Sequence, residues 1–268
     1  NRRHLGRFEE ALAALDIALS LSPRDEHLLF RRAQTLAWLR RFADAETAYR
    51  QMLEMFPRGV ALVPLATLVL YRRGDLDQAL ALLPPDHAPA KSTRAWWLAA
   101  QGKYAQSLTV AESIDAPDAV ARFSRQSLLG RVHWLAGEHD RGEALLRASV
   151  SDIARYLDAH PDIASRNEWF VQAAQNLAVV GDEADALAWL ARAVELPSTA
   201  KSALQSGWAL EQSIRTYALL GRVDLLLPAL ARMRESTAAS WVSAFEMRQG
   251  PWFAKVRDDP RVQAEIAL

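Results

Sequence analysis

Apolar residues recur along this chain at three- and four-residue intervals, in blocks several helical turns long, and the blocks come in pairs. Residues 8–21 are a clear case: Ala11, Leu12, Leu15, Ala18 and Leu19 fall on one stripe, the spacing of an amphipathic helix. Between blocks stand Gly6, Gly74, Gly102, Gly137, Gly181 and Gly221, with Arg40 in the corresponding place of the second pair. A large residue follows most of these breaks two or three positions on: Phe8, Phe42, Leu76, Tyr104, His139 or Val223. Three further on comes Ala11, Ala45, Ala79, Ser107, Gly142, Ala186 or Leu226. Ala11, Ala45 and Ala79 are 34 residues apart, and Pro23, Pro57 and Pro197 follow second helices.

Each slot has a physical reason. A tight turn between two helices needs a residue that accepts a left-handed backbone, which glycine does without steric cost. A small residue on the second helix lets the two backbones approach. The large residue beside the turn fills the remaining gap, and proline ends the pair. A single helix pair cannot bury its apolar face, so neighbouring pairs must stack.

The second unit, residues 26–59, is 34 residues long and carries Ala33, Leu36, Phe42, Ala45, Tyr49 and Pro57. A Leu129-Gly130 pair stands in the first helix of the fifth unit. In these positions the chain resembles the tetratricopeptide repeat (TPR) family. The resemblance implies an all-α protein, a right-handed α-solenoid of about seven TPR-like helix pairs. Departures from the pattern predict irregularity in the C-terminal half. The first pair lacks most of its first helix, and the third is cut short by Pro84-Pro85. The fifth is stretched, its second helix free to run over residues 139–160 without a breaker, and the last two pairs are long.

The expected division is a repeat array over residues 1–237 and a helical capping segment over 238–268. In that segment Asp258 or Asp259 can cap a last helix that begins at Pro260, and Trp252 and Phe253 are expected to seal the final apolar face. The segment resembles the end of TPR regions in bacterial multidomain regulators of the serine/threonine kinase, adenylate cyclase and winged-helix types. Chains of that kind have upstream domains, and this one opens at Asn1 with Arg2 and Arg3. Location then follows the upstream sequence, cytoplasmic or periplasmic. The stripe on residues 8–21 is expected to lie partly open, an end that frays, pairs with a second copy or takes up more chain.

The 268 residues carry no net charge and half are hydrophobic, which suits a helical protein with much surface to bury. Neutrality argues against a nucleic-acid binder, which needs a cationic excess. The absence of cysteine excludes disulfides and thiolate chemistry. The longest apolar run, residues 60–71, contains Pro64 and is too short to cross a bilayer, so no membrane insertion by this segment is expected.

Candidate chemistry is sparse. The six histidines show no metal-ligand spacing, and the glycines are dispersed one per turn instead of gathered in a phosphate loop. No nucleophile motif occurs. No catalytic residue, metal or cofactor is expected. Nine tryptophans stand out: Trp38, Trp96, Trp97, Trp134, Trp169, Trp189, Trp208, Trp241 and Trp252. Most such rings pack between repeats, but tryptophan is also a common interface anchor.

First helices of TPR pairs line the concave face, so counting back from each turn selects groove positions. These are Phe30, Gln34 and Trp38; Leu68, Tyr71 and Arg72; Ser92 and Trp96; Arg131 and Trp134; Val171 and Gln175; and Trp208, Glu211 and Arg215. Trp97 should turn away from the groove, and Trp189, on a second helix, should pack. The expected partner-binding set is Gln34, Trp38, Tyr71, Arg72, Trp96, Arg131, Trp134, Gln175, Trp208 and Arg215. Rings interleaved with Arg and Gln suit a bound peptide or protein segment, as in an interaction or sensor module of a bacterial regulator. The alternative is a small-molecule sensor with a Trp-lined pocket.

Overall fold

The computed structural model describes residues 3, 5–162, 166–195, 203–235 and 242–267. Trp241, Pro197 and the expected boundary at residue 237 lie outside them. All regular structure among the described residues is helical. The first helices are α1 (Phe8–Leu21), α2 (Glu26–Trp38), α3 (Phe42–Met55), α4 (Leu62–Arg73) and α5 (Leu76–Ala81). A 3-10 turn (Ala88–Ala90) precedes α6 (Lys91–Ala100), α7 (Tyr104–Glu112), α8 (Ala119–Leu135) and α9 (His139–Ala159). Then come α10 (Arg166–Val180), α11 (Glu183–Glu195), α12 (Ala203–Leu220), α13 (Val223–Glu235) and α14 (Ala244–Gln249), a second 3-10 turn (Pro251–Phe253) and α15 (Pro260–Ala267).

All seven turn positions read from the sequence have a left-handed backbone, Arg40 at φ 58° and the six glycines between 67° and 84°. Five of the turns close with the same bond, from the residue after the left-handed one back five positions. Arg41 N–H donates to Leu36 O, Lys103 to Leu98, Glu138 to His133, Asp182 to Leu177 and Arg222 to Tyr217, at 2.9–3.0 Å. This Schellman closure satisfies helix-end carbonyls that would otherwise be orphaned.

The small slot behaves as a close crossing in every pair. Ala11, Ala45, Ala79, Ser107, Gly142, Ala186 and Leu226 are all buried. Ser107 Oγ donates to Ala95 O at 2.7 Å, so its hydroxyl is satisfied across the crossing. The tightest contact is α8 on α9. A Cβ on Gly142 would stand 2.8 Å from Trp134 N and 2.9 Å from Gly130 O, and one on Gly130 would stand 3.1 Å from Gly142 O. The two helices touch backbone to backbone.

The irregular pairs follow their breakers. α5 is six residues long, because Pro84-Pro85 disfavours helix in the residues before it. α9 runs 21 residues and carries its buried stripe on through Ile153 and Leu157. At the other end the stripe of α1 is partly open. Ala11 and Leu12 are buried, Leu15, Ala18 and Leu19 are half-buried, and the exposed apolar residues are Leu5, Ile17 and Leu21. The packing of α2 on α1 covers only the part of that stripe around Ala11 and Leu12.

The chain divides into two compact units. One gathers Asn1–Ala90, Ser198–Glu211 and Arg232–Phe245; the other gathers Lys91–Pro197, Gln212–Ala231 and Glu246–Leu268. In the first, α1 to α5 pack in sequence order around Leu36, Met52, Leu65 and Leu68. In the second, α8 lies against α6 and α10 as well as against its own partner α9. First helices therefore touch first helices there, and their C-terminal ends can meet around one point.

Candidate functional site

In the second unit four first helices contribute residues near their C-terminal ends to one cavity: Trp96 from α6, Arg131, Trp134 and Leu135 from α8, Val179 from α10 and Leu219 from α12. The far wall is the turn after α14, with Pro251, Trp252, Ala254 and Lys255. The space enclosed is about 100 Å³. Trp252 lies on Trp96 with ring centroids 4.8 Å apart, and the Arg131 guanidinium sits 5.0 Å from the Trp252 ring, within cation–π range.

Local bonds hold this turn in place. Arg257 donates to the carbonyls of Arg248 and Gly250, both at 2.9 Å, and so clamps the chain on either side of α14's end. Phe253 is fully buried. Asp259 accepts from Arg261 N–H at 2.8 Å, capping α15 with Pro260 at its first position. Arg261's guanidinium and backbone N–H hold the Asp259 carboxyl down at about 2. Glu246, at the start of the second unit's C-terminal segment, pairs with Arg215 of α12 through two bonds of 2.6 and 3.2 Å. Trp252 packs against the core of Leu177, Ala178, Ala186 and Leu219. Trp252 also reaches back to α6 and α8.

Behind the cavity a polar network crosses three helices. Arg131 donates from Nε and Nη2 to Asn176 Oδ1 on α10, at 3.1 and 2.9 Å. Ser127 Oγ donates to the same oxygen at 2.6 Å, and Asn176 Nδ2 donates to Ser149 Oγ of α9 at 3.3 Å. Ser149 in turn donates to Phe123 O at 2.9 Å. Desolvation pushes the Arg131 guanidinium down to about 10.

The ten residues selected by register have three fates. Trp96, Arg131 and Trp134 come together at the cavity. Gln175 and Arg215 are buried in pairs, Gln175 with Gln212 at 2.9 Å and Arg215 with Glu246, so they hold the protein together and face no open groove. Leu68 and Val171, read as groove positions, are likewise core residues. In the first unit Trp38 lies against Phe8, centroids 5.6 Å apart, beneath the Arg3 guanidinium at 4.0 Å. Gln34 accepts a hydrogen bond from Arg3. Arg72 bonds Glu46 at 2.6 Å, a buried carboxylate that Arg73 and Arg50 also reach at 2.8 and 2.9 Å. Burial would raise the Glu46 carboxyl, but these three guanidiniums win and lower it. Tyr71 and Trp208 are half-buried. Trp97 turns into the core, as its register predicts, and Trp189 packs 5.6 Å from Phe170.

Register alone misses Trp252, Asn176 and Lys255. Trp252 and Lys255 belong to no repeat, and Asn176 follows Gln175 on a face the counting assigns to packing. Among the described residues no three His, Asp or Glu could hold a metal ion, and no helix is long and apolar enough to cross a membrane.

Comparison with known proteins gives the fold. No family model matches the sequence, and no curated protein matches it. Among solved structures, a tetratricopeptide repeat protein from Parabacteroides merdae ATCC 43184 aligns with a TM-score of 0.52 at 14% identity, over 98% of this chain and 92% of that one. The fold is that of a tetratricopeptide-repeat protein. PilW, a widely conserved type IV pilus biogenesis factor, aligns with a TM-score of 0.42 at 17% identity, over 78% of this chain and 92% of PilW. The TPR likeness fits the seven left-handed turns and the buried small slots.

Proposed function

We propose that this chain is a protein-interaction module that binds a polypeptide segment at the helix ends around Trp96, Arg131 and Trp134. One observation carries the reading. The chain's own Pro251–Phe253 turn lies on that surface, with Trp252 between Trp96 and Arg131. The surface thus accepts an aromatic side chain presented on a single 3-10 turn, which is how a large ring anchors an interface. A TPR fold offers such first-helix surfaces repeatedly. The setting in a bacterial regulator, and a sensor role there, rest on the resemblance of the C-terminal segment alone.

The test is binding in trans. A Trp252→Ala chain should bind a synthetic peptide of residues 248–256, measured by calorimetry. A second substitution, Trp96→Ala, should weaken that binding about tenfold or more, the cost of losing a ring at an anchor. A folded Trp252→Ala chain that ignores the peptide contradicts the reading.

A second reading is favoured by the cavity itself. Trp252 leaves about 100 Å³ unfilled beside a cation, and an apolar pocket with one placed polar group is the form of a small-molecule site.

A further inference from the structure

We infer that the cavity beside Trp252 is a binding site for a small branched-chain carboxylate, its alkyl group in the cavity and its carboxylate on the Arg131 guanidinium. The inference rests on the small-molecule reading and names the ligand class.

Size comes first. An apolar cavity of about 150 Å³ takes a benzene molecule, so one of about 100 Å³ takes a branched alkyl group of about four carbons. The walls are Trp96, Trp134, Leu135, Val179, Leu219 and Trp252. They offer a buried ligand hydroxyl or amide almost nothing to bond, and an unbonded polar group in such a place is costly.

Charge selects the rest of the ligand. Several arginines of this protein meet a carboxylate: Arg215 meets Glu246, Arg72 meets Glu46, and Arg222 meets Glu183 and Asp224, while Arg3, outside this cavity, bonds the neutral Gln34 and lies over Trp38. Arg131 has no carboxylate partner among the described residues. Its Nε and Nη2 share the neutral Asn176 Oδ1, and Nη1 has no partner among the described residues. A half-buried guanidinium in an apolar wall without a counter-charge is an anion site waiting for an acceptor. The network through Asn176, Ser127 and Ser149 fixes the guanidinium before any ligand arrives, which removes an ordering cost from binding. Lys255 adds a second cation at the rim. An amine ligand would meet two like charges, and a neutral one would leave Arg131 as it is.

The experiment uses the intrinsic tryptophan fluorescence of the full chain, since three rings line the site. The probes are 3-methylbutanoate, its amide and 3-methylbutylamine. The acid should give a saturable change and bind about tenfold or more tighter than the amide, the worth of a hydrogen bond to a charged group. The amine should bind weakest. Arg131→Gln should bring the acid to the level of the amide, while Arg72→Gln should change nothing. If Arg131→Gln does not fold, Arg131→Lys keeps the charge and should retain partial preference for the acid. Equal binding of acid and amide by the unaltered chain overturns the carboxylate inference while leaving a small-molecule pocket standing. If none of the three binds, the inference and the small-molecule reading fall together, and the peptide reading is still judged by its own test in trans.

Discussion

The two compact units start from the same repeat register and the same residue types, yet treat them differently. In the first unit the arginine at the end of a first helix, Arg72, is tied to Glu46, and the tryptophan in that slot, Trp38, lies under Arg3. In the second unit an arginine and a tryptophan further back on a first helix, Arg131 and Trp134, line a cavity, and the arginine meets an amide instead of a carboxylate. What separates them is a neighbour. Glu46 sits on α3, one repeat partner away from α4, and gathers three guanidiniums at once. Beside Arg131 stands Asn176 of α10, which orients a cation without neutralising it. A surface becomes available for binding where the charges on it are positioned and left uncompensated.

The contrast can be broken most forcefully at Trp252. Trp252→Ala should cost roughly 2–4 kcal/mol, near the range for losing a large ring but reduced because the side chain is half-buried. Added indole should restore part of the lost melting temperature by refilling the space. A melt unchanged by the substitution would mean that the turn after α14 does not hold the helix ends of the second unit together.

A smaller effect is expected at Glu46. Glu46→Gln leaves Arg50, Arg72 and Arg73 facing a neutral group and should cost about 1–2 kcal/mol, since the carboxylate is buried but its partners are largely exposed. Its carboxyl is lowered in the folded chain, so its stabilisation is complete above the unfolded value of about 4.3 and is lost as pH falls through the folded one. The variant should therefore flatten the acid limb of stability in urea melts as pH falls below about 4.3. It should also gain no affinity for 3-methylbutanoate. If it does, a lone cation suffices and the apolar cavity of the second unit is irrelevant.

The smallest effect is at the cap that ends the chain's described helices. Asp259→Ala should weaken the start of α15 by less than either change above. With its carboxyl held near 2, the cap is fully present above the unfolded aspartate value of about 3.9 and persists until pH falls towards 2. Losing it should loosen α15, read by hydrogen exchange of Val262 to Ile266, and leave the first unit untouched.

The repeat was legible in the sequence because local rules make it. A left-handed turn, a small crossing residue and a proline stop each act within a few residues, so Gly6 to Gly221 and Ala11 to Leu226 could be read without a partner in view. Even Arg40 was legible, as the residue standing where glycine was due. The site was legible only in part. Helical periodicity says which way Trp96, Arg131 and Trp134 face, but not what covers them. Gln175 and Arg215 face the same way by count and are buried, because Gln212 and Glu246 reach them from 37 and 31 residues further along. The Trp96–Trp252 contact and the Arg131–Asn176 bond join residues still more remote in sequence. No period records such meetings.

The crossing of α8 and α9 carries a consequence for how this chain can change over generations. Gly130 and Gly142 each sit at backbone distance from the other's carbonyl. A methyl group at either position forces the helices apart, and once they have parted, a methyl group at the other meets less resistance. The two substitutions are therefore not additive. Drift at this joint must pass through a poorly packed intermediate, or leave both glycines alone and let the sequence around them vary.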